Sequence, residues 1–427
     1  MSPSSPGPDP RNRPTAARTV VSGPITEDVG APRSPSAGVR PSAGVRPSAG
    51  VRPSAGVRSG RRAVRSHEPT KAPPVLVRQV RGGVVESRHR GSIVQVDVDG
   101  TVRRLLGDPD VVVNLRSAVK PFGLVALVEA GGVEAFDLST AELAVMAGSH
   151  SGEDLHVRTL QAVFRRSGIS QQMLGCGSDG APLDALTAAR LLRDGERAGQ
   201  IRHMCSGQHA SLLLLCKLNE WTVEEYWRPD HPVQCLYAAT IARAFDTSAA
   251  LLLTSTDACG VPTYGFPLRE VARAFALLAD PGAARASDRR TSLAPALTRI
   301  REAMLANPEM VAGTRDRLDT LVMKAAPGRV VAKGGAEGMR GFAILSGAAA
   351  GHTKASGIAL KIEDGGGFDR ATGAASIETL WQVGLLDAGA VRALARYHRP
   401  KDHDPRGETA AEAIPAFELA PVGELLD

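Results

Sequence analysis

The chain has 427 residues, 43% hydrophobic but only 4% aromatic, with five cysteines. That length buries a substantial core of mostly Leu, Val and Ala with room for more than one lobe. No apolar run approaches the roughly 20 residues of a membrane span, and an odd number of scattered cysteines is not a disulfide framework. The net charge of +6 belongs to one end: residues 1–72 carry 12 Lys and Arg against 4 Asp and Glu, which leaves the remainder at about −2 and excludes a basic nucleic-acid face there.

The basic end holds a hexad, Arg-Pro-Ser-Ala-Gly-Val, repeated from about Arg40 to Val57. Pro and Gly in every copy predict a disordered tail over 1–72. The start lacks an apolar stretch of signal-peptide type, so the expected compartment is the cytoplasm. Order begins near Pro74. Val75–Val80 and Gly83–Ser87 read as strands, and Ile93–Val98 and Thr101–Leu106 as a hairpin turning at Asp99-Gly100. A helical stretch follows: Phe122–Ala130, Thr140–Ala147, Asp154–Arg166, Ala185–Arg193, Ala210–Leu218, Val223–Trp227, Val233–Phe245 and Leu268–Leu278. Strands return at Arg329–Ala332, Gly341–Leu345 and Gly357–Glu363, before a helix over Ile377–Gly384. The pattern predicts an α/β (α+β) fold whose sheet is built from both chain ends with a helical lobe between. The catalytic domain is expected over 73–400, with a poorly ordered tail at 401–427.

Three motifs carry chemistry in this order. Ser117-Ala-Val-Lys120 lies where the apolar run Val111–Leu115 gives way to a helix. A serine and a lysine three apart share one helical face, so a lysine amine freed of its charge takes the serine proton. Free N–H groups at the helix start suit a developing oxyanion. Ser149-His-Ser-Gly-Glu153 follows a helix capped by Ser139 and Glu142. Lys333-Gly-Gly follows a strand. Serine β-lactamases and penicillin-binding proteins place S-x-x-K, S-D-N and K-T-G on the same kinds of element. The logic predicts two Ser–Lys pairs, Ser117 with Lys120 and Ser149 with Lys333. The bland alternative is two solvated lysines and two capping serines.

Cys205 and His209 stand at i and i+4, and Cys259 lies in a compact loop after Asp257. Together they suit either a Cys2His metal site or small buried hydrophobes. Cys176 is placed near the site, whereas Cys216 and Cys235 read as core.

Six ordered segments carry a family resemblance: Arg116-Ser-Ala-Val-Lys120-Pro-Phe, Ser149-His-Ser-Gly-Glu153, Cys205-Ser-Gly-x-His209, Asp257-x-Cys259-Gly-Val-Pro-Thr-Tyr-x-Phe-Pro-Leu268, Lys333-Gly-Gly-Ala-Glu-Gly338 and Gly357-Ile-Ala-Leu-Lys361. Over about residues 76–397 the chain resembles the rhizobial-type L-asparaginases. The resemblance implies a β-lactamase-like fold, a homodimer, and hydrolysis of L-asparagine to L-aspartate and ammonia. It assigns Ser117 as nucleophile, Lys120 as its base, and Ser149 with Lys333 as the second pair. Arg116, His209 and Asp257 are implied to line the substrate site. Members of that family hold zinc through two cysteines and a lysine. Cys205 and Cys259 match the cysteines, but Gln208 stands at the lysine position, so zinc is expected to be weak or absent and no cofactor is required. The expected partner is the small-molecule substrate, with no nucleic acid and no membrane. The alternatives are a glutaminase, a β-lactamase-like or esterase-like serine hydrolase on the same fold, and a non-catalytic binding or regulatory homologue.

Overall fold

The computed structural model describes residues 72–177, 182–283 and 289–422. The expected tail at 1–72 lies outside them, apart from Ala72. Strands β1 (Val75–Arg81), β2 (Val84–Asp97), β3 (Val102–Leu106) and β4 (Val112–Asn114) come first, and β5 (Leu253–Thr256) and β6 (Pro262–Pro267) lie mid-chain. Strands β7 (Val330–Gly334), β8 (Met339–Ile344), β9 (Ser356–Ile362), β10 (Lys401–His403) and β11 (Thr409–Pro415) come last. The main sheet runs β10-β11-β1-β2-β9-β8-β7, with β3 also on β2, and all pairs are antiparallel. The sheet is thus built from both chain ends, as expected. Strands β7 and β8 are buried along their whole length, which is why they read as near-continuous apolar runs.

The longer helices are α1 (Lys120–Glu129), α2 (Thr140–Ala147), α3 (Asp154–Ser167), α4 (Ala185–Arg193), α5 (Ser206–Leu218), α6 (Pro232–Ala244), α7 (Leu268–Ala279), α8 (Ala294–Ala306), α9 (Leu318–Ala325) and α10 (Gly373–Gln382). Helix α7 lies on β2, β8 and β9, while α1 packs among α5, α6 and α8. The predicted cap of α2 is present: the Ser139 side chain accepts from Glu142 N–H, and Glu142 reaches back to Ser139 N–H. Among the described residues no helix is long and apolar enough to cross a membrane.

Five expectations need correction. Strand β2 is one 14-residue strand, not two: it pairs with β1 along its first half and with β3 and β9 along its second. Val223–Trp227 is a series of turns, and Glu225 takes a left-handed φ of 51° that no helix continues through. The stretch between α7 and β7 holds α8 and α9, which pattern reading passed over. Residues 401–422 are not a loose tail, because β11 pairs with β1 and β10 with β11; residues 423–427 lie outside the described set. These strands are short and mostly half-exposed, so they carry little apolar alternation. Cys216 is buried as expected, but Cys235 is exposed.

Candidate active site

A small sheet, β4-β6-β5, positions the first motif. Leu115 N–H donates to Tyr264 O of β6, and the chain then turns through Arg116–Val119 into α1. Arg116 has φ 49°, a left-handed conformation costing a non-glycine residue on the order of 1 kcal/mol. Its guanidinium is held there by Asp257 Oδ1 at 2.6 Å. Asp257 follows β5 and begins the tight turn to β6, in which Gly260 N–H donates to Asp257 O. The hairpin thereby brings Asp257 and Cys259 beside the segment that carries Ser117.

The second motif is fixed from several sides. Ser149 N–H donates to Val311 O at 2.7 Å. His150 Nε2 and Ser206 Oγ share a 2.8 Å hydrogen bond that ties the loop to the head of α5. Burial, with Lys120 and other cations nearby, pushes the His150 pKa well below its ordinary value and keeps the ring neutral. Ser151 donates to Glu153, which also accepts from Thr314 N–H and Thr314 Oγ1.

The third motif explains its own glycines. A Cβ on Gly334 would stand 2.0 Å from Arg340 Nη1, and one on Gly335 would stand 2.3 Å from Leu115 O. The end of β7 therefore abuts the segment just before Ser117, and only glycine permits the approach.

These elements bring Lys120 and Lys333 to one hydroxyl. Lys120 Nζ lies 3.1 Å and Lys333 Nζ 3.0 Å from Ser149 Oγ. Lys120 Nζ also donates to Gly148 O at 3.1 Å and lies 3.2 Å from Cys205 Sγ, and Lys333 Nζ donates to Gly334 O at 2.6 Å. Both lysines are buried. Burial lowers the Lys333 pKa to about 7, with Lys120 and Arg340 adding to the fall while Asp319 opposes it. A hydroxyl has one proton and two lone pairs. Once Lys333 is neutral, Ser149 donates to it while accepting from Lys120. The Ser149–Lys333 contact is the expected one. The Ser117–Lys120 contact is not made: among the described residues Ser117 Oγ has no hydrogen-bond partner, and Lys120 is turned to Ser149. Ser117 is 9% exposed at the start of α1, with its hydroxyl unbonded among the described residues.

His209 is fully buried, its Nδ1 sharing a 2.6 Å hydrogen bond with Tyr226 OH. Burial lowers its pKa to about 3, so the ring is neutral. Arg317, Asp319 and Arg340 were not singled out from the sequence, yet all three reach this cluster. No motif spacing links them to it; only the short Arg317-Leu-Asp319 start of α9 hints at them.

The sequence profile of the L-asparaginase II family matches residues 77–415, the whole span that carries these groups. The chain belongs to the L-asparaginase II family. It is accordingly an amidohydrolase by family. No curated protein matches the chain. Among solved structures, a probable glutaminase from Bacillus subtilis complexed with 6-diazo-5-oxo-L-norleucine has 13% identity and a TM-score of 0.35, covering 71% of this chain and 87% of that one. A second structure of a Bacillus subtilis probable glutaminase has 13% identity and a TM-score of 0.34, covering 69% and 89%. Likenesses this remote add nothing to the family assignment.

For this L-asparaginase II chain the cysteines test the zinc implied by resemblance. Cys205 and Cys259 share a hydrogen bond, which with the charge of Lys120 pushes the Cys205 pKa well below the usual thiol value against burial, and which with burial pushes that of Cys259 up. Gln208 Nε2 donates to Tyr237 OH at 3.1 Å. Among the described residues no group of three or more His, Cys, Asp or Glu gathers to hold a metal ion. Two sulfurs with no third His, Cys, Asp or Glu gathered beside them among the described residues, and with Gln208 turned to Tyr237, do not fit the two-cysteine, one-lysine zinc site that the resemblance implies. Supplying the missing donor is expected to change this. Gln208→Lys purified without chelator should carry close to one zinc per chain by metal analysis, and the native protein far less. Equal zinc in the two would contradict the donor count.

Proposed function

We propose that this protein hydrolyses L-asparagine to L-aspartate and ammonia through an ester on Ser117. The observation that carries the reading is the convergence of Lys120 and Lys333 on Ser149 at 3.1 and 3.0 Å, with Ser117 three residues before Lys120 and without a hydrogen-bond partner among the described residues. Ser117 Oγ adds to the side-chain amide carbon while Lys120, one turn along, takes its proton. Such hydrogen bonds commonly tighten only when substrate is bound. Lys120 hands the proton to Ser149 as Ser149 passes its own to the departing nitrogen; the C–N bond breaks and ammonia leaves. Water then adds to the β-aspartyl ester, neutral Lys333 taking its proton through Ser149 and returning it by way of Lys120 to the departing Ser117 oxygen.

The Arg116–Asp257 pair supports an amino-acid substrate. A zwitterion presents one carboxylate and one ammonium, the complement of a neighbouring guanidinium and carboxylate. Glutamine has the same two charges and one more methylene, a difference worth about 1–3 kcal/mol in a fitted pocket. Ammonia release from L-asparagine, L-glutamine and D-asparagine, measured side by side, tests the substrate. The expected kcat/KM for L-asparagine exceeds the others at least about tenfold; a preference for L-glutamine would make the chain a glutaminase.

A pH profile follows from Lys333. It works as a proton acceptor only when neutral, and its pKa lies at about 7. Activity should therefore be low in acid, rise through about pH 7 and level off above it. A rate that falls as pH rises from 6 to 8 would contradict that role.

A further inference from the structure

Arg317 stands at the N-cap of α9 and Asp319 lies in its first turn, and they reach opposite members of the Ser149–Lys333 pair. Arg317 Nη2 donates to Ser149 O at 3.1 Å. Asp319 Oδ2 accepts from Gly334 N–H at 3.0 Å. Gly334 is the residue after Lys333, and its carbonyl accepts from Lys333 Nζ at 2.6 Å. The other Asp319 oxygen is paired with Arg340 of β8, the side chain that lies across Gly334. One helix start thus touches the backbone on both sides of the serine–lysine contact.

We propose that Arg317 and Asp319 are positioning residues, a two-armed clamp that holds Ser149 against Lys333 and sets the charge of Lys333. The proposal rests on the reading of Lys333 as a proton carrier. It explains a feature that packing alone does not. Asp319 is 5% exposed, and a buried carboxylate is costly unless its oxygens are bonded and its charge is matched. A hydrophobic residue at the head of a helix would fill the volume without that cost. The carboxylate here is bonded to a backbone N–H and to Arg340, within range of the lysine amine.

The groups that face Lys333 come from four elements besides its own. They are Asp319 of α9, Arg340 of β8, Lys120 of α1, and Cys205 at the head of α5, with Ser149 in direct contact. Asp319 and Cys205 favour the ammonium, whereas Lys120, Arg340 and burial oppose it. Removing the Asp319 charge withdraws support from the ammonium, so the lysine must lose its proton at lower pH.

Asp319→Asn keeps the shape and an oxygen for Gly334 N–H while deleting the charge. Its Lys333 titration is read without substrate, by NMR of the ε-carbon in protein carrying 13C-lysine, assigned with Lys333→Arg. The expected midpoint lies at least about half a pH unit below that of the native protein, and the acid limb of the kcat profile moves with it. Arg317→Gln leaves the carboxylate in place. It should lower kcat about tenfold with KM within about threefold and move the Lys333 midpoint less than Asp319→Asn does. An unchanged midpoint in folded Asp319→Asn would overturn the charge-setting role. If Asp319→Asn does not fold, Arg317→Gln decides: native kcat, or a loss that appears equally in KM, would overturn the clamp. A shifted midpoint in a protein that does not turn over L-asparagine would leave the clamp standing and overturn only the proposed reaction.

Discussion

Ser117→Ala is expected to lower kcat on L-asparagine by at least about 10³-fold, since no other group in the proposed sequence forms the ester. The fold should survive. Ser117 Oγ has no hydrogen-bond partner among the described residues, so its removal orphans nothing, and one missing oxygen at a partly open position leaves little cavity. Thermal unfolding is expected within about 2 °C of the native protein, a shift too small for any lost core contact. Steady-state ammonia release and a melting curve check the two halves. A variant that kept a tenth of native activity would remove Ser117 from the chemistry.

Lys120→Arg is expected to lose about 10²–10⁴-fold, the usual worth of a general base. A guanidinium keeps its charge at any working pH and accepts no proton. The slot is also tight: Lys120 is 1% exposed, and its amine meets Gly148 O, Ser149 Oγ and Cys205 Sγ. Lys120→Met fills nearly the same volume without charge and should be equally inactive, which separates lost chemistry from overpacking. An active Lys120→Arg enzyme would sink the base assignment.

Much of the site was legible because its signals are local. Ser117 and Lys120 lie within one turn, Ser139 and Glu142 form a capping box, and Lys333 sits at a strand end. Chain order alone then suggested that the three motifs meet. The partners of each group were less legible. Lys120 was expected on Ser117, yet it faces Ser149 and Cys205, because three acceptors surround its amine on that side. Arg317 and Asp319 look like ordinary charges at a helix start, where acidic residues are favoured anyway. Only tertiary contact shows them reaching Ser149 and Gly334. In the fold, the apolar helices and buried strands announced themselves, whereas β5, exposed along its whole length, and the half-exposed β10 and β11 did not. Their pairing comes from backbone hydrogen bonds, which leave no periodic mark in the sequence.

The central claim is that a β-aspartyl ester forms on Ser117. Native protein mixed with L-asparagine, quenched in acid within milliseconds and mapped by mass spectrometry, tests it directly. The account predicts an aspartyl group on the peptide that carries Ser117, gained within one turnover and lost as aspartate appears. The same group on Ser149 would contradict it.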